Sequence, residues 1–139
     1  MTLLEECIAS LGDDIKIYDK KESNELFDLF QRKFKFTKYG KIDWTSIYHT
    51  EVVNESIIQE FFDSKYCYIM WDELSLPVIK APLLNTLSEI DEVTAVSFDT
   101  WILSTNQNSV IEYYHEGTIT LGTNKYPGIF HKDSVQTTS

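Results

Sequence analysis

The sequence predicts a single α+β domain, an antiparallel sheet with a C-terminal three-stranded meander and about four packed helices. Three observations carry that expectation. Several segments ahead of Thr94 repeat apolar residues at helical spacing, and the six-residue run Tyr66 to Trp71 has the length of an inner strand. Thr94 to Leu121 then holds three β-favouring runs divided by short polar turns. At 139 residues the chain has the size of one domain, residues 1 to 139. Its 42% hydrophobic and 14% aromatic content is too rich for a disordered chain, despite a net charge of −10.

In chain order, Thr2 precedes the stripe Leu3, Leu4, Ile8 and Leu11, with Glu5 placed to complete a capping box, and Gly12 stops this helix. Ile15 to Tyr18 alternates as a short strand, Asp19 to Glu22 reads as a turn, and Ser23 is the expected next cap. From Asn24 to Phe34, residues Leu26, Phe27, Leu29, Phe30 and Phe34 mark an amphipathic helix. Lys35 to Gly40 turns the chain, and Ile42 to Val53 favours a strand. Asn54 is placed to cap a surface helix with Ile57, Ile58, Phe61 and Phe62 inside and Glu55, Glu60 and Asp63 outside. Pro77 and Pro82 punctuate the segment after the Tyr66 strand. Pro82 then suits the first position of a helix running through Leu83, Leu84, Leu87 and Ile90.

The meander comprises Thr94 to Ser104, Ser109 to His115 and Thr118 to Leu121, turning at Thr105 to Asn108 and at Glu116-Gly117. Ile111, Tyr113 and His115 share one face, and Val110, Glu112 and Tyr114 the other. From Thr123 to Ser139 the polar ending predicts a loosely held tail.

Charge is the strongest functional signal. Between Glu51 and Glu116 lie twelve carboxylates and two lysines, Lys65 and Lys80, a balance equal to that of the whole chain. Aromatic residues crowd the same stretch, so it reads as a folded acidic face. Such a field repels nucleic acid and anionic membrane and speeds encounter with a basic protein. Lys16 to Lys41 holds eight cations against four anions, but with a pI near 4.6 it reads as a solvated helix face and loop that makes the molecule a dipole. The first ten residues lack the pattern of a secretory signal, and no stretch approaches the roughly 18 apolar residues of a membrane span, which points to the cytoplasm. Cys7 and Cys67 fit no zinc or CxxC spacing and are expected as reduced, buried thiols; no metal or other cofactor is implied.

A metal-dependent hydrolase would have to draw on Asp99, Glu112, His115 and Glu116. The sequence lacks a glycine-rich phosphate cradle, a nucleophile elbow and an HExxH pair, and its one arginine is Arg32. His49, His115 and His131 share no ligand spacing, and His115 is expected to satisfy local hydrogen bonds at a strand end. A binding protein is therefore expected, with Glu55, Glu60, Asp63, Asp72 and Glu73 as candidate partner-binding residues because they gather acids next to aromatics.

The segment Ser97 to Gly122 carries Asp99-Thr100-Trp101, Val110-Ile111-Glu112 with following aromatics, His115-Glu116-Gly117 and Ile119 to Gly122. These motifs resemble immunity proteins of bacterial contact-dependent growth inhibition and related polymorphic toxin systems. The resemblance covers about a fifth of the chain and implies a small cytosolic α+β protein without catalysis. It implies that the protein binds and neutralises one cognate toxin C-terminal domain, commonly a nuclease acting on tRNA or DNA. A basic nuclease cleft would attract an acidic inhibitor. An acidic adaptor or regulatory subunit with a basic, non-toxin partner is the other binding reading.

Overall fold

A computed structural model describes residues 1–52, 54 and 56–124. The chain runs α1 (Leu3–Leu11), β1 (Lys16–Ile17), α2 (Lys20–Lys33), a 3-10 turn (Trp44–Ser46), β2 (Tyr48–Glu51) and α3 (Ser56–Phe61). It continues through β3 (Tyr66–Trp71), β4 (Ile79–Pro82), α4 (Leu83–Ser88), α5 (Ile90–Thr94), β5 (Thr100–Ser104), β6 (Ser109–Tyr113) and β7 (Ile119–Thr123). The strands form one antiparallel sheet in the order β1-β4-β3-β5-β6-β7-β2. The fold is α+β.

Both faces of this sheet are covered. Cys67, Ile69 and Trp71 of β3, Ile102 of β5, Ile111 of β6 and Leu121 of β7 face a core shared with Leu11 of α1, Phe61 of α3, Leu83 and Leu87 of α4 and Val93 of α5. Met70, Trp101, Leu103 and Val110 face the opposite way, onto Phe30 of α2 and onto Phe34 and Ile42 beyond it. The alternation of a strand thus divides side chains between two cores. All five residues of β5 are buried as a result.

The meander β5-β6-β7 lies inside the sheet. β2 pairs along the outer side of β7, from Tyr48 opposite Thr123 to Glu51 opposite Thr120, and β3 pairs along β5. The first meander strand is shorter than expected, because Thr94 still belongs to α5 and pairing starts only at Thr100. Thr123 is buried in β7 rather than beginning a tail, and the expected tail from residue 125 onward lies outside the described residues.

Local chemistry explains the helix ends. In α1, Thr2 Oγ1 accepts the Glu5 N–H at 3.1 Å and Glu5 Oε1 accepts the Thr2 N–H at 2.8 Å, completing the capping box. α2 starts earlier than Ser23, because Asp19 accepts the Glu22 N–H at 2.8 Å and caps the helix itself. Ser23 instead sits buried inside α2. Its hydroxyl donates to the Tyr18 carbonyl and accepts the Val78 N–H at 3.0 Å, tying the helix to the approach of β4.

β4 itself was hidden by Pro82 at its end and Pro77 ahead of it. Pro82 takes extended backbone at φ −60° and ψ 136° as the last strand residue and N-cap of α4, not as the first helical residue. A strand end tolerates the missing N–H. The helix expected to run through Ile90 breaks at Glu89 into α4 and α5. In the stretch expected as a strand from Ile42, Asp43 Oδ1 accepts the Thr45 N–H and caps the 3-10 turn, so β2 begins only at Tyr48. The Trp44 ring of that turn lies against Gly122 of β7, where a Cβ would collide with it.

The turn between β5 and β6 carries a testable strain. Gln107 has φ 64°, a left-handed conformation that costs an ordinary residue about 1 kcal/mol, and its buried Oε1 has no hydrogen-bond partner among the described residues. Gln107→Gly should therefore stabilise the protein by about 1 kcal/mol after the entropy of the unfolded glycine is deducted. Chemical denaturation checks this; an unchanged or lower midpoint would mean that the turn is not strained at this residue.

The alternating strand directions gather three connections at one end of the sheet. These are residues 72–78 between β3 and β4, residues 95–99 ahead of β5, and residues 114–118 between β6 and β7.

Candidate protein-binding surface

The expected partner-binding acids occupy two places. Glu60 is exposed on α3 and Asp63 is exposed just before β3, whereas Asp72 and Glu73 are exposed where β3 ends. The length of β3, roughly 20 Å, separates the two pairs. Glu55 lies outside the described residues.

Asp72 also has a structural task. Its Oδ1 accepts the Asp99 N–H at 3.0 Å, and its own N–H donates to the Asp99 carbonyl. Asp99 is itself buried, and its Oδ1 accepts the His115 N–H at 2.8 Å while lying 2.9 Å from His115 Nδ1. The strand order therefore links three loops distant in sequence through consecutive hydrogen bonds. His115, expected at the end of the strand with local hydrogen bonds, lies in the loop after β6 instead, and its partner is Asp99, sixteen residues earlier in the chain.

The 114–118 loop is a tight hairpin connection. Tyr114 N–H donates to the Thr118 carbonyl and Gly117 N–H to the Tyr114 carbonyl, and Gly117 takes φ 97°, which requires a residue without Cβ. The turn brings Tyr114 and His115 together at 4.2 Å between ring centroids, and Phe98 meets His115 edge-on at 6.3 Å. The Lys41 ammonium lies 4.8 Å from the Tyr114 ring centre. The Tyr114 phenol is pushed above its ordinary pKa, first by desolvation and then by the negative field of Asp99, Glu116 and Glu112.

Phe98 is 79% exposed. A depression of ≈ 270 Å³ flanks it on the side of Tyr114, His115 and Gly117, and another of ≈ 280 Å³ on the side of Glu73, Ala95 and Val96. Leu74, 66% exposed, borders a third with Asp72, Phe36 and Gly40. From sequence Phe98 falls inside the expected strand Thr94 to Ser104, one of several aromatics that suit either a packed core or a binding surface. The signal that separates it is its place outside β5, between Ser97 and Asp99, where no pleat directs it inward.

Glu112 has a different environment from the Asp99–His115 pair. It is 1% exposed, on the sheet face that carries Trp101. Its Oε2 accepts the Ile42 N–H at 2.7 Å and Trp101 Nε1–H at 3.0 Å, and its Oε1 accepts Trp44 Nε1–H at 3.2 Å. Both oxygens are thus occupied by donors that pin the 42–44 segment onto the sheet. Among the described residues no three His, Cys, Asp or Glu side chains converge to hold a metal ion, so the Asp99, Glu112 and His115 arrangement that a hydrolase would need is not assembled. His49 lies on β2, with Nδ1 3.0 Å from the Ile47 carbonyl, and His131 falls outside the described residues.

Cys7 and Cys67 are buried and unpaired in disulfides, in the same core. Burial pushes their thiols up, to about 11 and about 12, which leaves them as small apolar fillers. No helix among the described residues is long and apolar enough to cross a membrane.

The site thus combines a double-covered antiparallel sheet, a buried carboxylate that holds the 42–44 segment, and a loop end with exposed acids and an exposed aromatic. Residues 1–122 match the family model described as CdiI immunity protein EcoliA0-like. The chain belongs to that family of immunity proteins, which places it in contact-dependent growth inhibition with a cognate toxin as partner. No protein of curated function matches the chain in sequence. The match extends far beyond Ser97 to Gly122, through the N-terminal half in which no motif of the family is legible.

Proposed function

We propose that this chain neutralises a basic toxin C-terminal domain, a nuclease, by stoichiometric 1:1 binding in the bacterial cytoplasm, with no catalysis and no cofactor of its own. The observation that carries this reading is the charge: twelve carboxylates against two lysines between Glu51 and Glu116, on a chain of net charge −10. A nuclease domain binds polyanionic substrate and so presents a positive cleft, which an acidic inhibitor meets with complementary potential. Family membership favours this partner over that of a general acidic adaptor. Glu60, Asp63, Asp72 and Glu73, with Glu55, supply part of the attracting surface.

The reading expects a large secreted protein with a variable basic C-terminal domain encoded immediately upstream, and that domain is the test partner. Stopped-flow association with it should slow by about tenfold or more between 0.01 M and 0.15 M salt, as the screening length falls from about 30 Å to about 8 Å. A rate insensitive to salt would remove the electrostatic basis of the proposal. Failure of the two proteins to associate would remove the proposal itself.

A further inference from the structure

Resting on that reading, we infer that the loop end of the sheet is the toxin-docking surface, with Phe98 as its central anchor and Leu74 as a second. A basic face of the toxin domain, presenting arginine or lysine, is the occupant.

Single exposed apolar residues are ordinary, so exposure of Phe98 alone would mean little. The arrangement around it is what points to a partner. Phe98 stands between two depressions, and Leu74 borders a third together with Asp72. An anchor with hollows beside it can both insert and receive side chains, which is how hot-spot residues interlock.

The anchor is held in place before binding. Phe98 precedes Asp99, whose backbone is fixed to Asp72 and whose carboxyl group holds His115, and the Phe98 ring rests edge-on against that imidazole. Binding therefore orders little that is not already ordered, and the entropy cost of association is correspondingly small.

Charge selects the occupant. Residues 72–74, 95–99 and 114–117 contain four carboxylates, Asp72, Glu73, Asp99 and Glu116, of which Asp99 is buried, and no lysine or arginine of their own, while the Lys41 ammonium reaches the Tyr114 ring from outside them. Glu73 is exposed beside the anchor, and Glu116 is exposed on the 114–118 loop. A guanidinium or ammonium entering the hollow lined by Glu73 and Phe98 meets a carboxylate and an aromatic face together, and the other hollow offers the rings of Phe98, Tyr113 and Tyr114. The Glu60 and Asp63 side of α3 offers acids, but neither of the two exposed anchors.

The test uses the full chain and the upstream-encoded toxin domain. Phe98→Ala and the double variant Glu73→Lys with Glu116→Lys should each weaken binding at least about tenfold, whereas Glu60→Lys with Asp63→Lys should weaken it by less than the loop-end pair. All three replace exposed residues, and melting curves that overlay the parent establish that folding is intact. Hydrogen exchange on the parent complex supplies a readout independent of any variant: amides of residues 95–99 and 114–118 should gain protection on binding. If the parent binds but Phe98→Ala loses less than tenfold, or if those amides exchange as in the free protein, the docking surface lies elsewhere and the immunity reading stands. If the parent does not bind the toxin domain, the proposed function fails, and this inference with it.

Discussion

Replacing Glu112 with alanine should destabilise the protein by about 3–5 kcal/mol, a large part of the roughly 5–15 kcal/mol that holds a domain of this size together. The Ile42 N–H and the indole N–H groups of Trp44 and Trp101 all donate to this one side chain, and it is 1% exposed. Removing it leaves three donors without an acceptor and opens space beside Trp101. Glu112→Gln is the sharper experiment, because it keeps the volume while turning one acceptor atom into an amide that must face an N–H. It should cost about 2–4 kcal/mol in chemical denaturation. A Gln variant as stable as the parent would show that these contacts do not hold the 42–44 segment. A folded Gln variant should retain whatever toxin neutralisation the parent has, which separates this structural role from a catalytic one.

The elements legible in the sequence are those whose signals are local. The Thr2–Glu5 capping box, the Ile58 and Phe61 face of α3, the six-residue β3 and the glycine turn at Gly117 each follow from neighbouring residues alone. β4 was not legible, because four residues ending in Pro82 carry too little periodicity and the proline suggested a helix start. The start of α2 was misplaced because Asp19 to Glu22 read as a turn and Ser23 as the cap, whereas Asp19 caps the helix and the Ser23 hydroxyl is bonded to Val78, far away in sequence. Gly122 illustrates the same limit, since only the packing of Trp44 against β7 shows why a side chain cannot stand there.

The candidate surface divides in the same way. The concentration of acids was readable from composition; which acids share an end of the molecule was not. Asp72, Asp99 and Glu116 come together because β3, β5, β6 and β7 are neighbours in the sheet, and strand order leaves no mark in a linear charge pattern. Distance along the chain misled in the opposite direction for Asp63 and Asp72, which one strand holds apart. The exposure of Phe98 was not legible either, since the expected strand from Thr94 included it and only the strand boundary at Thr100 places it outside.

Trp101→Ala should cost about 3–5 kcal/mol, by emptying the centre of the second core. The indole is 2% exposed and lies among Phe27, Phe30 and Phe36 at centroid distances of 6.0, 5.9 and 5.3 Å. Trp101→Phe narrows the comparison, because it keeps an aromatic ring in the core while removing the donor to Glu112 and part of the indole's volume. It should cost about 1–2 kcal/mol. Since Trp101 and Glu112 are hydrogen-bonded partners, their effects should not add: Trp101→Phe combined with Glu112→Gln should be less destabilising than the two single changes together, by about 0.5–3 kcal/mol. Strict additivity would mean that Trp101 packs without the help of Glu112. A Trp101→Ala protein that melts like the parent yet no longer binds the toxin domain would move this residue from the core to the interface.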